Sequence, residues 1–362
     1  MTNSPEDSPF IDFKPHDLLR ESQISDNNLL SSTIAASPQI QRNQLLLSQD
    51  LDFQPNDNSN ELFQQSLTQN FESYINNNGI SLLQASNIIS NLSTQQLLQI
   101  ATHPIGNFTL QILLPFNTFA FVQLLESHIY QLSIHSHGTR VIQKLIEIAG
   151  VDTRKFIIFE LQGKVKELIF SQNGNHCVGK IFDCFESNDA KFAIQECIEG
   201  FLSISRHCFG CCLMQKAIQL SNQLFVEFYQ LAVQNAVVMV QDEFANFVYQ
   251  CILENQNIFN HNLDVNQLIF PLIAHSRAFC MKKASSHVVE KIVVHASGQC
   301  LEQLVEFLTD NQEDLVKICS DKFGNYVIQK VLQKGMGKEK IRLVKNQLVG
   351  NQYARFILMQ IE

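Results

Sequence analysis

From about residue 80 onward, apolar residues return every three or four positions, the spacing of amphipathic helices. Val165–Phe170 (VKELIF) and Cys300–Leu308 (CLEQLVEFL) are clear cases. No run alternates apolar and polar residues between turn signals, so strands are not expected. Between the helical stretches one phrase recurs: PIGNFTLQIL, SHGTRVIQKL, QNGNHCVGKI, CFGCCLMQKA, EFANFVYQCI, KASSHVVEKI and KFGNYVIQKV. Its small residue is Gly106, Gly138, Gly174, Gly210, Ala245, Ser285 and Gly324, at steps of 32, 36, 36, 35, 40 and 39 residues. Copies at this period predict a solenoid, because one such unit cannot bury its apolar face alone and must stack on its neighbours. A weaker copy, QYARFILMQI, closes the chain with Ala354 in the small position. A degenerate one, NNGISLLQAS, is expected ahead of the others, with Gly79 and Gln84 in the matching places.

Within a phrase the polar positions follow their own register. In the last full copy Val327, Ile328, Val331 and Leu332 share one arc of the helix, and Asn325, Tyr326 and Gln329 share another. The same three slots hold Asn107, Phe108 and Gln111; Thr139, Arg140 and Gln143; and Asn175, His176 and Gly179. They hold Cys211, Cys212 and Gln215; Asn246, Phe247 and Gln250; and Ser286, His287 and Glu290 in the others. Stacking would align these triplets into one stripe. The middle slot is planar in all copies but the one with Cys212, and planar faces stack on nucleic-acid bases. A single polar triplet on a helix surface means little. Random surface positions, however, would not keep planar residues in one slot. An Asn–Gln pair offers donors and acceptors that suit the edge of uracil. A carboxylate only accepts, and guanine presents two adjacent N–H donors, so Glu290 is expected to read a G.

Composition changes the picture at the amino terminus. Asn, Gln and Ser make up 27 of the first 70 residues, and five of the eight prolines lie there. Such a segment buries too little apolar surface to offset its ordering entropy, so residues 1–70 are expected to be a disordered acidic tail and 71–362 the repeat domain. Short apolar clusters such as Leu45–Leu47 and Leu62–Phe63 could dock on partners. The net charge of −9 argues at first against a nucleic-acid partner. Yet 11 of the 35 acids and only 3 of the 26 bases fall in residues 1–100, so the repeats themselves are near neutral. Phosphate attraction alone cannot carry tight binding here. Lys144, Lys180, Lys216, Lys291 and Lys330 each follow a third slot and can either approach phosphates or lie over apolar neighbours.

The phrases, above all DKFGNYVIQKVL and HGTRVIQKLIE, resemble the Pumilio/FBF (PUF) repeat family over about residues 101–362. The resemblance implies an all-α fold, a curved right-handed α-solenoid of about eight three-helix repeats. It implies a concave face that binds single-stranded RNA antiparallel to the protein, one base per repeat. Carried over slot by slot, it implies U at Asn325/Tyr326/Gln329, G at Ser286/His287/Glu290 and U at Asn246/Phe247/Gln250. His287 stands where the family usually has Asn. Cys211/Cys212/Gln215 is similar to an adenine reader, with Cys212 in place of the expected Arg. Asn175/His176/Gly179 lacks its long reader, Thr139/Arg140/Gln143 implies A and Asn107/Phe108/Gln111 implies U. The expected site is 5′-UGUANAU, and Arg355/Phe356/Met359 is expected to be a cap. The family further implies a cytoplasmic regulator of mRNA translation and stability. It would act on 3′-UTRs as a monomer, with deadenylase or translational repressor proteins as partners.

Other chemistry is not expected. Cys208, Cys211 and Cys212 lack a second pair of zinc ligands, and the ten scattered cysteines read as reduced packed thiols. The chain has no phosphate loop, no H-E-x-x-H and no G-x-S-x-G, so no enzyme, catalytic residue, metal or cofactor is expected. No apolar run is long enough to cross a membrane, and the start lacks a secretory signal pattern. Two other readings share the helical repeats. One is a PUF-like ribosome-assembly factor with weak base choice, for which the Gly179 and Cys212 slots speak. The other is a protein-binding helical scaffold, against which the triplets speak.

Overall fold

The computed structural model describes residues 71, 76–77, 79–255 and 263–362; the expected tail, residues 1–70, lies outside them. Among the described residues every regular element is a helix. The chain divides into two compact units, one ending at Leu161 and the other running from Gln162 to Glu362.

In the first unit α1 (Leu82–Ser90), α2 (Thr94–Thr102) and α3 (Gly106–Leu113) form one repeat. The next comprises α4 (Thr118–Leu125), α5 (Ile129–Ile134) and α6 (Gly138–Ile148), and α7 (Val151–Leu161) follows. Each third helix carries a recurring phrase, and α3 and α6 pack directly on each other. The degenerate copy expected around Gly79 is not a repeat of its own. Gly79 lies in a turn at φ +64° with open space around its Cα. Gln84 is spent on a capping box, its side chain accepting from the Ser81 backbone at 2.9 Å. This stretch instead supplies the first two helices of the repeat whose third helix starts at Gly106.

The second unit continues the pattern with α8 (Val165–Phe170), α9 (Gly174–Cys184), α10 (Ser187–Glu199), α11 (Phe201–Ser205) and α12 (Gly210–Leu220). Then come α13 (Phe225–Gln241), α14 (Ala245–Asn255), α15 (Asn266–Ile273), α16 (Ser276–Cys280) and α17 (Lys283–His295). The unit ends with α18 (Gly298–Thr309), α19 (Gln312–Ser320), α20 (Gly324–Gln333), α21 (Lys338–Leu343), α22 (Lys345–Leu348) and α23 (Arg355–Ile361). The phrase helices α9, α12, α14, α17, α20 and α23 pack each on the next. Breakers separate the first and second helices of three repeats: Gly163 at φ +81°, Gly200, and Asn311, whose side chain caps α19. The sequence VQNAVVMVQ has no breaker, so α13 runs through as one helix of 17 residues.

The small residue is set by a close approach. A Cβ on Gly210 would lie 2.2 Å from the Ile204 carbonyl oxygen. Ser285 meets the equivalent carbonyl, Phe279 O, by donating its hydroxyl to it at 2.8 Å. The core is aliphatic: Val141, Ile142, Val178, Ile181, Val327 and Ile328 are fully buried. Eight of the ten cysteines are buried and all are free thiols, so they pack as small hydrophobes.

Candidate nucleic-acid interface

The phrase helices start in a common way, and this fixes where their polar residues go. The side chain three positions before the small residue turns back and accepts that residue's N–H. His103 Nδ1 accepts from Gly106 at 3.2 Å, His135 Nδ1 from Gly138 at 3.2 Å and His207 Nδ1 from Gly210 at 3.4 Å. Ser171 Oγ accepts from Gly174 at 3.1 Å, Asp242 Oδ1 from Ala245 at 3.0 Å and Asp321 Oδ1 from Gly324 at 2.9 Å. Burial lowers the His207 imidazole, which keeps its ring nitrogen available as an acceptor. Burial alone would raise the Asp242 carboxyl, but the Ala245 and Phe244 N–H groups and the Arg206 guanidinium hold it below its usual range. Lys282 breaks the series, in the one full copy where Ser285 is the small residue. The sequence reading missed this position; the signal was a His, Ser or Asp at a fixed offset.

The first slot lies beneath the surface. The helical wheel put Asn325 and its counterparts on the outer face. The structure instead buries Asn107, Thr139, Asn175, Cys211, Asn246, Ser286 and Asn325. The reason is local: near a helix start a short side chain folds back onto the preceding turn. Asn107 Nδ2 donates to the carbonyls of His103 and Pro104, both at 2.8 Å. Asn175 Nδ2 donates to Ser171 and Gln172, Asn246 Nδ2 to Asp242 and Glu243, and Asn325 Nδ2 to Asp321.

The second slot does reach solvent. Phe108, Arg140, His176, Phe247 and Tyr326 are half-buried and His287 is exposed. Cys212 is only 8% exposed, so its repeat presents neither a plane nor an open surface. The Cys211 thiol bonded to it and the nearby Lys216 lower the Cys212 thiol, while Cys211 itself is raised.

The third slot leans on the first. Gln111, Gln250 and Gln329 each donate Nε2 to the Oδ1 of the first-slot Asn, at 3.1, 3.0 and 2.9 Å. Gln143 donates to Thr139 Oγ1 at 3.2 Å and Gln215 to the Cys211 carbonyl at 3.0 Å. The buried Asn is thus an orienting group, its own donors spent on backbone and its oxygen fixing the glutamine. Each pinned amide keeps its carbonyl oxygen for a ligand, although Gln250 is only 7% exposed and Gln111 Nε2 also donates to the Asn107 carbonyl at 3.3 Å. Gly179 leaves this position empty, and a Cβ there would meet only Leu213 Cδ2, at 3.4 Å.

Glu290 differs from every glutamine in the series. Ser286 turns its hydroxyl to the Lys283 carbonyl, so the first slot does not orient it. Its Oε1 lies 3.6 Å from His287 Nδ1, and its side chain is 20% exposed. Burial pushes its carboxyl up to about 7, against the opposing pull of Lys330. In the closing copy Ala354 is buried, whereas Arg355, Phe356 and Met359 are exposed with no carboxylate or amide at the third slot.

In the repeats of Phe108, Arg140, Phe247 and Tyr326 the arrangement offers a half-open planar face beside one oriented amide. Two triplets lie in the first unit and five in the second. The chain's sequence matches the Pumilio-family RNA binding repeat at residues 128–162, 200–224, 278–309 and 314–346. It is 31% identical over 227 residues to a Pumilio domain-containing protein of Schizosaccharomyces pombe, covering 62% of this chain and 33% of that protein. It is 30% identical over 274 residues to Pumilio homolog 12 of Arabidopsis thaliana, covering 70% and 44%. The chain therefore spans about a third to a half of these relatives' own length. Among solved structures it is similar to the Puf4 RNA binding domain bound to an HO endonuclease 3′-UTR recognition sequence. There the TM-score is 0.67 at 21% identity, over 84% of this chain and 96% of that one. The RNA-binding domain of yeast Puf5p bound to SMX2 RNA gives 0.66 at 21%, over 84% and 93%. These likenesses establish the helical-repeat fold.

Proposed function

The chain belongs to the Pumilio family of repeat proteins, and from that premise we propose that it binds single-stranded RNA sequence-specifically and regulates mRNA after transcription. The observation that carries this reading is the recurring pair of a surface plane and a pinned amide, in one register, with a single carboxylate among them. A base stacks on the plane and its edge meets the pinned group.

In the second unit Tyr326 with Gln329 takes U, His287 with Glu290 takes G and Phe247 with Gln250 takes U. Gln215 favours A without a stacking partner, and the His176 repeat accepts any base. In the first unit Arg140 with Gln143 takes A and Phe108 with Gln111 takes U. The target is an element of the form 5′-UGUANAU. Puf4 and Puf3 are solved with 3′-UTR recognition sequences, which supports 3′-UTR elements as the targets here. The protein acts in the cytoplasm as a monomer on RNA and recruits deadenylase or repressor proteins, with no catalytic step of its own.

The test is a two-by-two titration at one fixed salt, of wild type and Glu290→Gln against a short RNA containing UGUA and its UAUA counterpart. Wild type is expected to prefer UGUA by about 1–3 kcal/mol, the scale of one bidentate base contact, and the variant to lose the preference. Equal binding of both RNAs by wild type would favour an assembly factor with little base choice. Binding of neither would favour a protein-binding scaffold.

A further inference from the structure

A lysine follows the third slot in five of the seven repeats, and Lys144, Lys216, Lys291 and Lys330 each lie against a side chain of a phrase helix. Lys216 Nζ lies 2.7 and 2.8 Å from the two carboxylate oxygens of Asp183, on the preceding phrase helix. Lys291 pairs in the same way with Glu254. Lys144 meets Glu147 at 3.0 Å and Lys330 meets Gln333 at 3.3 Å within their own helices. In all four cases the partner stands nine positions after the small residue of its helix, one turn beyond the third slot and on the same face. The lysine itself is four positions after the second slot, hence beside it. A strand whose bases fill the slots would carry its phosphates past these lysines.

We propose that Asp183 and Glu254 hold Lys216 and Lys291 away from RNA phosphates and so suppress sequence-independent binding; the inference rests on the RNA reading above. A bare lysine attracts any phosphate whatever base it carries, and that term dominates non-specific association. A carboxylate at the same point both occupies the lysine and repels the phosphate. The carboxylates are solvent-exposed, Asp183 at 53% and Glu254 at 47%, and the lysines partly so, Lys216 at 22% and Lys291 at 36%, so the pairs set a modest threshold rather than a lock. The near-neutral balance of the repeats, 24 acids and 23 bases in residues 101–362, agrees with a binding mode that draws little on phosphate attraction.

The full chain carrying Asp183→Asn and Glu254→Gln tests this. Wild type and variant are titrated at several salt concentrations with a UGUA-containing RNA and a scrambled RNA of the same composition. The variant is expected to bind the scrambled RNA about five-fold more tightly at low salt, the scale of exposed charge pairs. Its plot of log affinity against log salt should steepen by up to about 1.4, two phosphates on a single strand. Adding Lys216→Gln and Lys291→Gln should return both quantities to wild-type values. The two lysine changes in the wild-type background should alter scrambled-RNA binding by less than about two-fold, which keeps the test open if the amide variant folds poorly. An unchanged affinity and slope in the amide variant, with wild type still preferring UGUA, overturns this inference alone. A large loss from the lysine changes by themselves overturns it too. A wild type indifferent to UGUA overturns the RNA reading and this inference with it.

Discussion

Glu290 shows how one side chain can couple recognition to protons. Its carboxyl is raised by burial to about 7, and on the proposed reading it accepts from both guanine N1–H and N2–H only when ionised. From pH 8 to pH 6 the ionised fraction drops about ten-fold, so the preference for UGUA over UAUA should shrink by a similar factor. Titrations at the two pH values check this, and an unchanged preference would place the guanine elsewhere. Stability runs the opposite way. A carboxyl whose folded pKa lies above its unfolded value supports the fold fully below the unfolded value near 4.5, and that support is lost as pH rises through 7. Glu290→Gln removes the cost of holding a charge there. It should be more stable than wild type at pH 8, by on the order of 2 kcal/mol, with the gap closing by pH 5 in denaturant titrations. The variant that loses guanine is thus expected to gain stability, which separates lost recognition from lost folding.

At the scale of the helix, the site depends on how each phrase helix begins. Asp321 Oδ1 accepts from Phe323 N and Gly324 N at 2.8 and 2.9 Å, and the Asp321 carbonyl accepts from Asn325 Nδ2, which in turn orients Gln329. Asp321→Ala should destabilise the protein by about 1 kcal/mol, the typical loss for a helix-start acceptor. Asp321→His should recover most of it, because His103, His135 and His207 fill this position in other repeats. Thermal unfolding of the two variants separates these outcomes; equal losses would show that the acceptor contributes nothing. The repeat period, the helical spacing and the small residue of each phrase were legible in the sequence, because each reflects a packing constraint on side-chain size. The burial of Asn107 or Asn325 was not. A helical wheel assigns direction from position alone and ignores that a short amide near a helix start prefers the carbonyls of the preceding turn. Gly79 misled for a related reason: a glycine at positive φ in a turn and a glycine under a carbonyl look alike in sequence.

At the scale of the whole molecule, the order of the triplets carries information that no single repeat holds. The second unit ends with α23, whose Arg355, Phe356 and Met359 include no edge reader. The triplets at 325–329, 286–290 and 246–250, proposed to read U, G and U, come directly before it, and the Gln215 and His176 repeats lie further toward the amino terminus. If the strand runs antiparallel to the chain, the copy on the 5′ side of UGU offers no edge reader and further bases are read on its 3′ side. An RNA that begins with UGU and continues for six nucleotides should then bind at full strength. One of the same length that ends with UGU should forfeit the stacking on His176 and the edge contact at Gln215. At about 1–3 kcal/mol per stacked base, the loss is ten-fold or more. A parallel strand reverses the ranking, because the symmetric UGU core still fits while the flanking bases exchange sides. Comparing the two RNAs in one binding experiment therefore fixes the polarity of the strand. Equal affinities would mean that the damaged repeats at Cys212 and Gly179 contribute no binding energy, leaving the three carboxy-terminal readers to carry the recognition.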